Sequence, residues 1–259
     1  MTTSVFTRTL KEQRRALIGW SIGFAIVPMM YLPSFQSLKD QGSLNIKQND
    51  MYTAMGLNDF GTAAGYLHST IFALIGMLLI LIFAITMGAR TASQEDSGVL
   101  DLLLAQPVGR TSFLVQRFAA LAVQIGIVTT VLGLSVIAGT NAGKMDIPTG
   151  NILAAALGLG LLALAVGALT QAVGTITGHR AQPLGLTALL VVGGYLANSL
   201  GGIIDGASWL QKVSPFHYGV GGAPVISGFD AGNMAVLAAL IAVAIGLGLT
   251  VFDRRDLAV

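Results

Sequence analysis

Residues 147–178 read IPTGNILAAALGLGLLALAVGALTQAVGTITG and contain no Asp, Glu, Lys or Arg. An α-helix needs about 20 predominantly apolar residues to cross a bilayer core of about 30 Å. Five further stretches are equally free of charge: 16–38, 60–89, 118–143, 181–204 and 231–252. All charged residues lie between or beyond these runs. The pattern predicts an all-α integral membrane protein with six transmembrane helices.

The composition favours a membrane protein over a soluble one. Hydrophobic residues make up 54% of the chain and charged residues 10%, and the mean hydropathy is +0.76. A soluble helical protein would carry charge along the solvent-facing sides of its helices. The 33 glycines suit close helix packing in a bilayer. The absence of cysteine excludes disulfides and thiolate metal sites.

The basic residues predict the orientation of the helices. Most Lys and Arg residues fall on the cytoplasmic side if the N-terminus is cytoplasmic: Arg8, Lys11, Arg14, Arg15, Arg90, Arg110, Arg117, Arg180, Arg254 and Arg255. Only Lys39, Lys47, Lys144 and Lys212 fall outside. Short loops that follow the positive-inside bias show this asymmetry, so both termini are expected in the cytoplasm. The net charge of +2 follows from the same bias and does not indicate nucleic-acid binding.

The chain is expected to form one transmembrane domain over residues 1–259. Residues 1–15 are basic, carry apolar residues at roughly helical spacing, and are expected to form an interfacial helix. The spans are placed at about 16–38, 66–89, 113–140, 150–177, 183–204 and 233–252. Residues 207–230 are apolar but interrupted by glycine and proline, which predicts short re-entrant helices on the outer side. An ordinary hydrophobic outer loop is the alternative.

Motifs for catalysis, metal binding or nucleotide binding are missing. The six uncharged runs lack the ionisable residues that usually mark proton relays and ion-coupled transport. No H-E-x-x-H or G-x-S-x-G pattern occurs. The nearest match to a phosphate loop, GTNAGKM at 139–145, has the wrong spacing and lies on the predicted outer side. We therefore expect no catalytic residue, no metal site and no ATP site in this chain.

The charged segment RTASQEDSGVLDLLLAQPVGR (90–110) lies between the second and third predicted spans. Ser97 and Gly98 can end one helix and cap the next, and a helix there would stop before Pro107. Three leucines recur at i, i+3 and i+4 and form an apolar ridge: Leu100, Leu103 and Leu104. Asp101 points away from that ridge. The pattern predicts a short amphipathic helix that docks a partner; a solvated loop whose charges only fix topology is the alternative.

EDSGVLDLLLAQPVGR (95–110) resembles the cytoplasmic segment of permease subunits of ABC exporters of the ABC-2 class. That segment commonly shows Glu, a Gly three residues later, a Leu-rich run with an acid, and then Pro and Arg. Those places are held here by Glu95, Gly98, Asp101, Leu102 to Leu104, Pro107 and Arg110. Val99 stands where the family often has Thr. SPFHYG (214–219) and VFDRRDLAV (251–259) also resemble family elements.

The resemblance implies six-span subunits with cytoplasmic termini that pair as dimers over two ATPase subunits, which hold ATP and Mg. It implies a coupling segment at 93–110 with these ATPase-coupling residues: Glu95, Asp96, Gly98, Leu100, Asp101, Leu103, Leu104, Pro107 and Arg110. It also implies a translocation path at the dimer interface, mainly along spans two and five. The candidate path residues are Phe72, Met77, Tyr195 and Asn198.

We therefore expect the transmembrane subunit of an ATP-driven exporter, without an ATPase site or cofactor of its own. The expected partners are a cytoplasmic ABC ATPase subunit, a second permease copy or paralogue, and membrane lipid, but no nucleic acid. The expected location is the cytoplasmic (inner or plasma) membrane of a prokaryote. A secondary transporter and a non-catalytic membrane assembly or accessory protein are the alternatives. The uncharged spans count against a secondary transporter.

Overall fold

The computed structural model describes residues 4–44, 60–96, 109–177, 179, 181–204 and 206–254. Every regular element in these ranges is helical. Six helices are long and apolar enough to cross a membrane. This confirms the prediction of an all-α chain with six candidate spans.

Six long helices form the body of the protein: α1 Val5–Tyr31, α3 Ala63–Gly88, α5 Arg110–Ala142, α6 Thr149–Thr177, α7 Ala181–Gly201 and α10 Ala231–Arg254. Four short helices connect them: α2 Phe35–Asp40, α4 Arg90–Asp96, α8 Trp209–Val213 and α9 Pro224–Ser227. A 3-10 turn, Leu32–Ser34, joins α1 to α2.

The first helix starts earlier than the first uncharged run. Ser4 caps it, because the Ser4 hydroxyl accepts a hydrogen bond from the backbone N–H of Thr7 at 3.3 Å. Residues 5–15, expected as an interfacial helix, are the first turns of α1 and continue into its apolar part without a break. An exposed Arg8–Glu12 ion pair at 2.8 Å lies on these turns. Thr9 and Gln13 are buried there, so these turns also pack against the bundle.

Contacts between helix ends divide the bundle into two faces. The backbone N–H of Phe6 donates to the Gln116 side chain at 3.2 Å, and the rings of Phe113 and Phe252 stack 6.4 Å apart. These contacts bring together the starts of α1 and α5 and the end of α10, at what we call the terminal face. At the opposite face, the end of α1 meets the end of α5, where Leu32 packs on Gly139. Arg110, the last residue of charged segment 90–110, begins α5 at the terminal face.

Helix α6 is the centre of the bundle. It packs against α3, α5, α7 and α10, and most of its side chains are buried. Small residues bring the neighbours close: a Cβ added at Gly88 of α3 would lie 2.6 Å from the carbonyl oxygen of Gly167 in α6. Close backbone approach through small residues is the usual way for helices to associate in lipid, where no hydrophobic force joins them.

Helix α3 contains a π-helical segment, His68–Ile75. The backbone N–H of Gly76 donates to the carbonyl of Ile71, five residues earlier, which is the wider π turn. A Cβ at Gly76 would lie 2.6 Å from that same oxygen. The wide turn therefore depends on glycine at this position.

The segment between α7 and α10 enters the bundle from the opposite face. It consists of α8, a π-helical turn His217–Gly221, and α9. Gly219 packs on α6, since a Cβ at Gly158 would lie 2.6 Å from the Gly219 carbonyl oxygen. Gly158 is nine residues into α6, or about 13 Å along the helix. The Ser214 hydroxyl donates to the Gly194 carbonyl at 2.7 Å and so fastens the same segment to α7.

Replacing Gly158 with alanine should therefore destabilise the protein. The added methyl group would overlap the Gly219 backbone, and overpacking of a close contact costs about 1–3 kcal/mol. Thermal melting of the purified protein in detergent measures the effect. Gly150→Ala in the same helix is the control, because its Cβ would meet open space. A melting temperature lowered equally by both substitutions would contradict this account of the contact.

Candidate functional site

Two described helices flank residues 97–108 of the predicted coupling segment. Helix α4 follows α3 after a single residue, and its last two residues are Glu95 and Asp96. Helix α5 begins at Arg110. The remaining predicted coupling residues lie outside the described residues: Gly98, Leu100, Asp101, Leu103, Leu104 and Pro107. Their assignment stays a prediction.

Helix α4 packs directly on the centre of the bundle. Thr91 and Ala92 are buried, and a Cβ at Gly174 of α6 would lie 3.1 Å from the Ala92 methyl carbon. The hydrogen bonds from Ala89 N–H to Ile85 and from Ser93 N–H to Ala89 carry helical geometry across the α3–α4 junction. A displacement of α4 would therefore be transmitted to α3 and α6.

Buried polar side chains from α1, α4, α5 and α6 lie close together near the terminal face. We call this set the polar cluster: Thr9, Gln13, Thr91, Arg117, Gln124 and Gln171. The Gln124 amide donates to the Gln13 amide oxygen at 2.9 Å and links α5 to α1. The Arg117 guanidinium lies 5.3 Å from the centre of the Phe113 ring, within the range of a cation–π contact. The cluster encloses a cavity of about 10 Å³, roughly the space of one water molecule.

The burial of Arg117 was not predicted from the sequence. Arg117 was counted among the cytoplasmic charges and also lies inside the span placed at 113–140. The structure places it near the start of α5, with only 5% of its surface exposed. Its long side chain reaches the polar cluster, where glutamine and threonine side chains surround it.

The four candidate path residues do not line one open passage in the described ranges. Phe72 and Met77 are buried in the core. Tyr195 is half-buried against that core, with its ring 5.8 Å from Phe216. The Asn198 backbone carbonyl accepts a hydrogen bond from the Gln211 amide at 3.3 Å. Their assignment to a path stays a prediction.

Exposed side chains form a different surface on α3. Leu74, Leu78 and Ile82 are exposed and lie four residues apart, so they share one side of the helix. At the end of that side, a cavity of about 190 Å³ is lined by Thr86, Ala89, Arg90, Ser93 and Leu184. Leu184 belongs to α7, so this cavity lies between the second and fifth spans at the terminal face.

Comparison with known proteins gives one family. The family described as "Multidrug efflux system permease Rv1217c, C-terminal domain" matches residues 3–253. The chain belongs to this family. No curated protein matches it. Membership in an efflux permease family, together with six apolar helices, identifies a multipass membrane protein of the transporter class.

The polar cluster of this efflux permease was missed by the analysis of charge. A signal was nevertheless present in α5: Arg117 and Gln124 are seven residues apart, on the same side of the helix as Leu114, Leu121 and Val128. All five side chains are buried. Polar residues within such an apolar stripe indicate a buried interhelical contact.

The Gln13–Gln124 hydrogen bond can be tested with a double-mutant cycle. Gln13→Leu and Gln124→Leu should each destabilise the permease, with a coupling energy of about 0.6 kcal/mol, typical of hydrogen bonds between membrane helices. Reversible unfolding in mixed micelles measures it. A cycle of Gln13→Leu with Thr130→Val is the control and should be additive, since the Thr130 hydroxyl bonds Gly126 of its own helix. Equal coupling in both cycles would contradict a direct Gln13–Gln124 interaction.

Proposed function

We propose that this chain is the transmembrane subunit of an ATP-driven exporter of the ABC-2 class. A second copy or a paralogue completes the translocation path, and a separate cytoplasmic ATPase supplies the energy. One observation carries the proposal: α4, which ends in Glu95 and Asp96, is packed through Thr91 and Ala92 onto the central helix α6. A protein that binds segment 97–108 could therefore act on the centre of the bundle.

The charge of this segment supports a basic partner surface. Glu95 and Asp96 end α4, where the helix dipole already places partial negative charge. Acids at that end are locally unfavourable, whereas a cationic groove on an ATPase would be complementary to them. With the terminal face in the cytoplasm, this segment meets a soluble partner. ATP and Mg belong to that partner, and the chain hydrolyses no nucleotide itself.

The outer surfaces of α3 and α7 support a path shared with a second permease. Helix α6 is mostly buried, whereas α7 exposes most of its apolar side chains, among them Leu189 at 71%. In a bilayer such surfaces face lipid or another membrane helix. The cavity between Arg90 and Leu184 opens between these two helices. The efflux family supports a substrate of drug-like, amphipathic chemistry.

Cysteine labelling tests the orientation. The chain has no native cysteine, so single residues can be introduced alone. Asn45→Cys and Asp146→Cys should react with an impermeant maleimide added to intact cells, because they lie on the proposed outer side. Ser97→Cys and Arg180→Cys should react only after the membrane is permeabilised. The reverse pattern would exclude a cytoplasmic terminal face.

Charge reversal tests the coupling segment. Asp101→Arg and Leu103→Glu should each weaken association with the ATPase or uncouple its hydrolysis from export. Losing one partner of a buried charged contact costs about 2–5 kcal/mol at an interface. Co-purification of the ATPase and export at matched expression are the measurements.

Asp40→Arg is the matched control for this experiment. Asp40 is exposed at the end of α2, on the opposite face, so its reversal should leave association and export unchanged. Normal export by both Asp101→Arg and Leu103→Glu would leave the charges explained by topology alone. A purified chain that binds ATP without a partner would also overturn the proposal.

A further inference from the structure

One side of α3 and α4 changes from apolar to polar along its length. Four residues at i, i+4, i+11 and i+15 share that side, and we call them the α3 stripe: Leu78, Ile82, Ala89 and Ser93. Leu78 and Ile82 are exposed. Helical hydrogen bonds continue through Ala89 to Ser93, so the side is continuous across the junction of the two helices. Arg90 is exposed and lies next to Ala89 in the lining of the same cavity, so the stripe ends beside a guanidinium group at the terminal face.

A cavity of about 190 Å³ lies at the end of the stripe nearest the terminal face. Arg90 is the one charged residue among the described residues that line it. The Thr86 hydroxyl donates to the Ile82 carbonyl at 2.7 Å, so its proton is engaged. Ser93 is half-buried in the same cavity and carries a further hydroxyl donor. The cavity thus presents hydrogen-bond donors and positive charge.

A second, smaller cavity behind Arg90 is also lined by hydrogen-bond donors. Arg90 also borders the small cavity of the polar cluster, together with Arg117 and Gln171. The Gln171 amide nitrogen is buried and donates to no acceptor among the described residues. A buried donor without an acceptor is costly, and a water molecule in this small cavity would relieve that cost.

We propose that the α3 stripe and its terminal cavity bind an anionic amphiphile, with the apolar body along Leu78 and Ile82 and the anionic head on Arg90 and Ser93. This inference rests on the proposed function and names the class of substrate that the exporter takes. The substrate carries one carboxylate, sulfate or phosphate group on an apolar body, and it enters from the leaflet at the terminal face.

The dimensions and the chemistry of the stripe agree with such a ligand. Leu78 and Arg90 are twelve residues apart, or about 18 Å along the helix, close to the thickness of one leaflet. A guanidinium binds carboxylate and phosphate oxygens through paired, charge-assisted hydrogen bonds. A cationic amphiphile would meet Arg90, and Arg117 behind it, without a carboxylate among the described lining residues. The positive charge of Arg90 therefore favours an anionic head over a cationic one.

Binding to the purified full chain in phosphatidylcholine nanodiscs tests the inference. The probes are pyrene-dodecanoate and a pyrene-dodecyl trimethylammonium, which share the apolar body and differ in the charge of the head. The native chain should bind the anionic probe at least tenfold more tightly. Arg90→Gln should lose about tenfold in affinity for that probe, the loss of one charge-assisted contact. Arg90→Lys should retain part of it, because the charge remains but the paired geometry is lost.

Two further variants separate a local effect from a general one. Arg14→Gln removes one exposed positive charge elsewhere at the terminal face and should change affinity less than twofold. Ser93→Ala should weaken the anionic probe about threefold without a change of charge. Melting temperatures of all variants report whether they fold. Equal binding of both probes by the native chain, an unchanged Arg90→Gln, or an equal loss in Arg14→Gln would each overturn the inference.

The lipid composition of the nanodiscs distinguishes a lipid headgroup from a free amphiphile as the ligand. Nanodiscs that contain phosphatidylglycerol should suppress binding of pyrene-dodecanoate if the stripe takes a lipid headgroup. Unchanged binding assigns the site to free amphiphiles, and both results retain an anion-selective stripe. These assays need no ATPase, so selective binding without ATP-driven export would refute the proposed function alone. Export of both probes at equal rates would refute the inference and leave the exporter intact.

Discussion

Close contact between helix backbones is the constraint on which this structure depends. In lipid, apolar side chains gain nothing by leaving one hydrocarbon surface for another, so packing decides which helices associate. Helix α6 meets α3 at Gly88 and Gly167, and meets the segment between α7 and α10 at Gly158 and Gly219. Each contact leaves no room for a β-carbon. The bundle is therefore assembled around one helix whose small residues serve several neighbours at once.

The polar elements are concentrated where that packing meets the terminal face. The polar cluster joins α1, α4, α5 and α6 through buried side chains, and Arg90 connects it to the cavity between α3 and α7. Hydrogen bonds between helices add specificity that apolar packing lacks. Helix α4 packs next to these polar groups and ends in Glu95 and Asp96, so the proposed coupling segment begins at the same end of the bundle as the proposed substrate cavity.

The six helices could be predicted from the sequence because hydropathy over about 20 residues is a local property. The burial of Arg117 could not, since it depends on which side of α5 meets α1 and α6. Glycine spacing was equally ambiguous: Gly19 and Gly23 are four residues apart but face open space, whereas Gly174 contacts Ala92. The π-helical segment in α3 has no sequence signal apart from Gly76, a residue that is common throughout this chain.

The wide turn at Gly76 holds about one residue more than an ordinary α-helical turn. Removing one residue from His68–Ile75 would therefore restore an ordinary turn and leave the rest of α3 facing nearly the same way. A deletion in the α-helical part of α3 has a different effect, because successive residues there differ by roughly 100° about the axis. Every side chain beyond such a deletion would turn away from its present neighbours. The π-helical segment is thus the part of α3 where the chain can lose one residue and keep its outward surface.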